Sequence, residues 1–91
     1  MSDVTIAQTE VNHNGKWFFV STIERDSSAA VSPPPRYFET LVWEYDRATG
    51  KRGAIVGQYS GCRALDTHLA VVSGFYRNGR YEEGVEGGPS N

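Results

Sequence analysis

Few side chains in this chain are equipped for chemistry: one cysteine, Cys62, two histidines, His13 and His68, and a carboxylate, Glu39, set inside an apolar run. A nucleophilic Cys-His pair on a helix needs its members three or four residues apart, on one face. Cys62 and His68 are six apart on a segment that reads as a helix, so they point to different faces. A place near a helix N-terminus would favour the Cys62 thiolate. Without a base beside it, Cys62 reads as a small, half-buried helix residue. Metal ligation fails on the same spacing: Cys62 and Asp66 share a face, and two ligands do not make a site. Neither metal, cofactor nor enzymatic activity is expected.

Two short patterns invite other readings. Gly50-Lys51 resembles the end of a phosphate loop, which also needs a glycine five residues earlier and Ser or Thr after the lysine. Those positions hold Tyr45 and Arg52, so a hairpin turn is the better reading. Pro34-Pro35-Arg36-Tyr37 matches the Pro-Pro-x-Tyr pattern that WW domains take as a preformed polyproline helix. Tyr37 also begins a strand, which favours a structural role. His68 and Glu39 form a subtler pair. If the sheet face of Glu39 meets the helix face of His68, a carboxylate and an imidazole are buried in one layer, where each needs a partner. They would then satisfy each other, as a structural hydrogen bond or as a small polar pocket with a tuned histidine.

The elements that must position these groups are legible from alternation and turns. Asp3 to Val11 alternates as a strand, and Asn14-Gly15 is a strong hairpin signal because both residues tolerate positive φ. Lys16 to Arg25 is the second strand, rich in aromatic and β-branched residues. A loop of small residues ends in Pro33-Pro34-Pro35, which stiffens the approach to a third strand, Tyr37 to Asp46. Asp46 to Lys51 has the composition of a tight turn, and Gly53 to Tyr59 is the fourth strand. Ser60 is placed to cap a helix from Gly61 to Gly74, with Leu65, His68, Leu69 and Val72 as its buried stripe and Gly74 as its stop. Asn78-Gly79 permits a further small hairpin. The fold class expected is α+β: a four-stranded antiparallel sheet of two hairpins with one C-terminal helix on one face. Residues 1–81 form the domain, and the acidic, glycine-rich stretch 82–91 is expected to be disordered.

Composition fits this reading. In 91 residues there are two Trp, five Tyr and four Phe, so a small core can still bury much area. A net charge of −2 gives no basic footprint for nucleic acid or an anionic membrane, and direct contact with either is not expected. Met1 to Glu10 has no basic lead or long apolar run, so no secretory signal is expected there. One cysteine cannot form an internal disulfide, which fits a reducing, cytoplasmic setting.

Neither central strand has a purely polar face. In the third, Tyr37, Glu39, Leu41, Trp43 and Tyr45 alternate with Phe38, Thr40, Val42 and Glu44; in the second, Trp17, Phe19, Ser21 and Ile23 alternate with Phe18, Val20 and Thr22. One helix covers one side. The other is expected to carry Phe18, Val20, Phe38 and Val42, or their counterparts with the sides reversed, as a surface for a partner. The candidate contact residues are those four with Trp17 and Trp43, and the basic triplet Arg47, Lys51 and Arg52 as a salt-dependent rim. Self-association through this face is a further expectation.

Val20-Ser21-Thr22, Pro34-Pro35, Phe38-Glu39-Thr40-Leu41-Val42-Trp43, and His68 followed by Val71-Val72 together resemble a set of small proteins of tailed phages and their actinobacterial hosts. Those proteins share a Val-Ser-Thr strand, a loop ending in Pro-Pro, a (Tyr/Phe)-Glu-Thr-Met-Val-Phe strand and a His-bearing helix. This chain departs at Leu41, at Trp43 and in lacking an acidic start to the helix. The resemblance implies a phage or prophage origin and a place in the cytoplasm of an infected or lysogenic host. The leading expectation is then an accessory protein that acts by binding a host or phage protein complex, such as an anti-defence inhibitor of the anti-CRISPR kind. The alternatives are a self-assembling virion component and a small-ligand binder using Glu39 and His68.

Overall fold

Two turn chemistries set the sheet's connections. A computed structural model describes residues 3–26, 36–61 and 63–82. Strands β1 (Val4–His13) and β2 (Lys16–Asp26) meet at Asn14 and Gly15, whose φ values of 52° and 88° are the left-handed pair that an Asn-Gly hairpin requires. Strands β3 (Arg36–Asp46) and β4 (Lys51–Gly61) join through a turn in which Asp46 Oδ1 accepts the Ala48 amide at 3.0 Å. Gly50, at φ 75°, closes it onto the Asp46 carbonyl. The sheet is an antiparallel meander in the order β1-β2-β3-β4, and helix α1 (Ala64–Asn78) packs on it, most closely over β1 and β2 and least over β4. This is the α+β architecture expected. The triple-proline approach, Cys62 and the 83–91 stretch lie outside the described residues.

Register assigns the faces. Val20 pairs with Val42, Thr22 with Thr40, Thr9 with Val20, and Tyr59 with Thr40, so these side chains share one side of the sheet. That side carries the core: Val11, Phe18, Val20, Val42 and Tyr59 close against Val71 and Phe75 of the helix, with the Phe18 and Phe75 rings 4.9 Å apart. Phe18, Val20 and Val42 are therefore core residues beneath the helix, and the sheet sides are reversed from the expected arrangement. Phe38 lies on the same side and is half-buried.

The helix departs from expectation in its bounds and its rotation. Ser60 belongs to β4, and the residue that precedes the helix, Arg63, makes no side-chain cap. α1 runs through Gly74 and ends at Gly79, which has φ 72° and donates its amide to the Phe75 carbonyl at 2.9 Å. Extending the helix brings Phe75 into the stripe. The buried set becomes His68, Val71 and Phe75, because an aromatic ring buries more area than a leucine. Leu65 and Leu69 are turned outward, and Val72 is half-buried. No hairpin forms at Asn78-Gly79. Arg80 and Tyr81 instead fold back over Gly74, and Tyr81 meets Tyr59 edge-on at 5.3 Å. Among the described residues no helix is long and apolar enough to cross a membrane.

Candidate functional site

His68 is 2% exposed and held by hydroxyls on the floor of the core. Its Nε2 lies 2.8 Å from Thr9 Oγ1 and its Nδ1 2.8 Å from Thr22 Oγ1, which in turn lies 2.6 Å from Thr40 Oγ1. A neutral imidazole offers one donor and one acceptor, and hydroxyls can supply either complement. The chain of four groups is thus satisfied with either tautomer. Burial pushes the His68 imidazole below its ordinary value, so the neutral ring is the resident form. Among the described residues no carboxylate meets the ring, and the geometry is that of a polar tie between helix and sheet.

Glu39 lies on the opposite side of the sheet, in register with Ile23 and Ser60. The expected pairing of Glu39 with His68 is corrected: both are buried polar residues, but the sheet separates them. Glu39 accepts from Arg25 Nη1 at 2.8 Å and from the Gln58 amide. Burial alone would push its carboxyl up. The Arg25 and Gln58 hydrogen bonds, with the Arg25 charge, outweigh that and hold it below the ordinary value. The small-ligand reading based on a shared Glu39–His68 pocket loses its geometry. Among the described residues no group of three His, Cys, Asp or Glu is placed to hold a metal ion.

The uncovered side of the sheet carries a compact cluster of rings and guanidinium groups near the β3–β4 turn. Phe19, Trp43 and Tyr45 meet there, with ring centroids 6.0 Å apart for Phe19–Trp43 and 5.4 Å for Phe19–Tyr45. Cross-strand pairing places them: Phe19 opposes Trp43 across β2 and β3, and Trp43 opposes Ile55 across a bulge in β4. The Arg52 guanidinium lies 4.7 Å from the Trp43 centroid and 5.2 Å from that of Phe19, while Arg47 covers Trp17 at 4.6 Å.

The two arginines differ in their partners. Arg47 donates to Glu10 Oε1 at 3.0 Å, and this bond, with that from Tyr45, holds the Glu10 carboxyl below its ordinary value. Arg52 and Lys51 have no carboxylate partner among the described residues. A depression of about 360 Å³ opens beside them, with Trp17 and Tyr45 in its wall. Chemically this is a cluster of tilted rings with a pre-placed guanidinium fork that has no carboxylate partner among the described residues. Such a fork suits a carboxylate presented by another surface.

Of the residues singled out from sequence, the fold brings Trp17, Trp43, Arg47 and Arg52 to this side, sets Lys51 at the turn edge in register with Asp46, and withdraws Phe18, Val20 and Val42 beneath the helix. Phe19, Tyr45 and the 56%-exposed Ile55 join the surface. The first two share the alternation of Trp17 and Trp43, which was the signal for them. Ile55 depended on the bulge and had none. Compared with protein-family models, curated proteins and solved structures, the chain matches none.

Proposed function

We propose that this protein acts by binding another protein through the uncovered side of its sheet, with Trp43 and Phe19 as apolar anchors and Arg52 as the polar one. The observation that carries the reading is the ring cluster itself, three aromatic side chains of which two lie under a guanidinium with no acid partner among the described residues. Trp, Tyr and Arg are the side chains in which binding energy concentrates at interfaces. The partner this surface fits has an apolar patch edged by carboxylates. The sequence resemblance supplies the setting, a phage or prophage accessory protein in the host cytoplasm. The role that suits both is obstruction of a host complex, as an anti-defence inhibitor of the anti-CRISPR kind does.

The test is affinity purification from a lysate of an actinobacterial host, with wild type, Trp43→Ala and Arg52→Ala as baits. Wild type is expected to retain a stoichiometric partner. Each variant is expected to lose about 2 kcal/mol or more of binding, roughly a thirtyfold weaker complex. Recovery of no stoichiometric partner, or equal recovery by both variants, rejects the reading.

A further inference from the structure

A second apolar surface runs along the helix, independent of the sheet. Leu65, Leu69 and Tyr76 are 58%, 64% and 67% exposed, and the half-buried Val72 lies between them. Their positions i, i+4, i+7 and i+11 describe one straight seam, the spacing by which paired helices interlock. A single exposed leucine is ordinary on a protein surface; four apolar residues in line on a helix of 15 residues form a patch. The chain's own return segment does not cover it. Arg80 and Tyr81 pack over Gly74, and a helical rotation of about 100° per residue sets Gly74 on the flank opposite the seam.

Charge says what fits there. Asp66 lies in the first turn beside Leu65, and Arg77 in the last turn beside Tyr76. Among the described residues Asp66 is engaged only by Arg63, in an exposed pair at 3.2 Å, and Arg77 has no carboxylate partner. In an antiparallel pair of these helices, Leu65 meets the other copy's Tyr76, Leu69 meets its Val72, and Asp66 comes within reach of its Arg77. In a parallel pair the two Asp66 lie at the same end but on opposite flanks of the seam, and neither comes within reach of an Arg77. The charges are therefore answered in the antiparallel orientation, with the two-fold axis perpendicular to the helices.

We propose that a second copy of this chain docks on the Leu65–Leu69–Val72–Tyr76 seam, forming an antiparallel helix-paired dimer. One helix face is smaller than the roughly 1,200 Å² that stable complexes bury, so the dimer is a reversible one, with a dissociation constant in the micromolar range.

Sedimentation of the full chain from about 10 µM to 1 mM is the test, with thermal melting to show that each variant is folded. The expected result is a shift from monomer to dimer across that range. Leu69→Glu, at an exposed position, weakens the dimer at least about tenfold. Asp66→Arg and Arg77→Asp each weaken it, and the double exchange restores it. A monomer at every concentration overturns the proposal. So does a dimer unaffected by Leu69→Glu, or one lost on Trp43→Ala, which would move the contact to the sheet. A monomer whose Leu69→Glu variant loses a partner captured from lysate also overturns it, assigning the seam to that partner.

Discussion

Replacing His68 by Gln separates the imidazole's role as a hydrogen-bonding spacer from its role as a titrating base. The Gln amide keeps one donor and one acceptor for Thr9 and Thr22 but cannot take a proton in the accessible range. Its smaller volume in a site 2% exposed costs about 1–2 kcal/mol at pH 7.5. The proton adds a pH-dependent part. Burial lowers the folded-state value of His68, so the unfolded chain binds a proton at a pH where the folded chain does not. Stability from this source is fully present above the unfolded value of about 6.5 and is lost as pH falls below it. One pH unit lower, at pH 5.5, the loss has a ceiling of about 1.4 kcal/mol. Wild type bears that loss and the Gln variant does not. The gap of about 1–2 kcal/mol at pH 7.5 should therefore close to about 0–1 kcal/mol at pH 5.5. Urea unfolding at pH 7.5, 6.5 and 5.5, followed by Trp17 and Trp43 fluorescence, measures it. A gap that is constant or wider at pH 5.5 means that His68 protonates freely and is not sealed beneath the helix.

On the other side of the sheet the sign of the pH effect comes from a carboxylate. Glu39→Gln should cost about 1–2 kcal/mol near neutrality, discounted because Arg25 is partly exposed. The folded value of Glu39 is depressed, so its contribution holds above the ordinary carboxylate range and fades as pH falls through it. Wild type and Glu39→Gln should thus converge between pH 6 and pH 3, and parallel curves would reject the buried pairing. Gly74→Ala tests the return of the chain over the helix. An added Cβ would lie 2.9 Å from the Arg80 carbonyl and from Tyr81 Cβ. Alanine's helix propensity gains about 1 kcal/mol, yet the crowding should leave the variant about 1–2 kcal/mol less stable. Loss of the Tyr59–Tyr81 contact in the ring proton spectrum is the local readout; a more stable variant with unchanged tyrosine shifts would count against the packing.

The turns show how far local chemistry reaches. Asn14-Gly15 and the Asp46–Gly50 turn were legible because their residues need particular φ values and side-chain acceptors that neighbours in the chain supply. The helix was legible in existence but not in rotation. Gly74 looked like a stop because glycine often ends helices. Here it is interior, and its missing side chain makes room for Arg80 and Tyr81, which arrive from outside the helix. A stop at Gly74 excludes Phe75 from the stripe and puts Leu65 and Leu69 in it, whereas the longer helix buries Phe75 and turns both leucines outward. The candidate surface was half legible. Trp17 and Trp43 share an alternation that can be read along the strands, but both faces of β2 and β3 are apolar, and alternation cannot rank two apolar faces.

By itself, then, the sequence determined four strands, one helix and an antiparallel order, since turn residues and side-chain period act between near neighbours. The tertiary structure alone decided which face of the sheet the helix covers. Val11, Phe18, Val20 and Val42 close with Val71 and Phe75 into one core, whereas Phe19, Trp43 and Tyr45 face outward, the first two beneath Arg52. That choice depends on how well distant side chains pack and on where Thr9, Thr22 and Thr40 can meet the polar atoms of His68. It also parted Glu39 from His68, which could have paired only on a shared face.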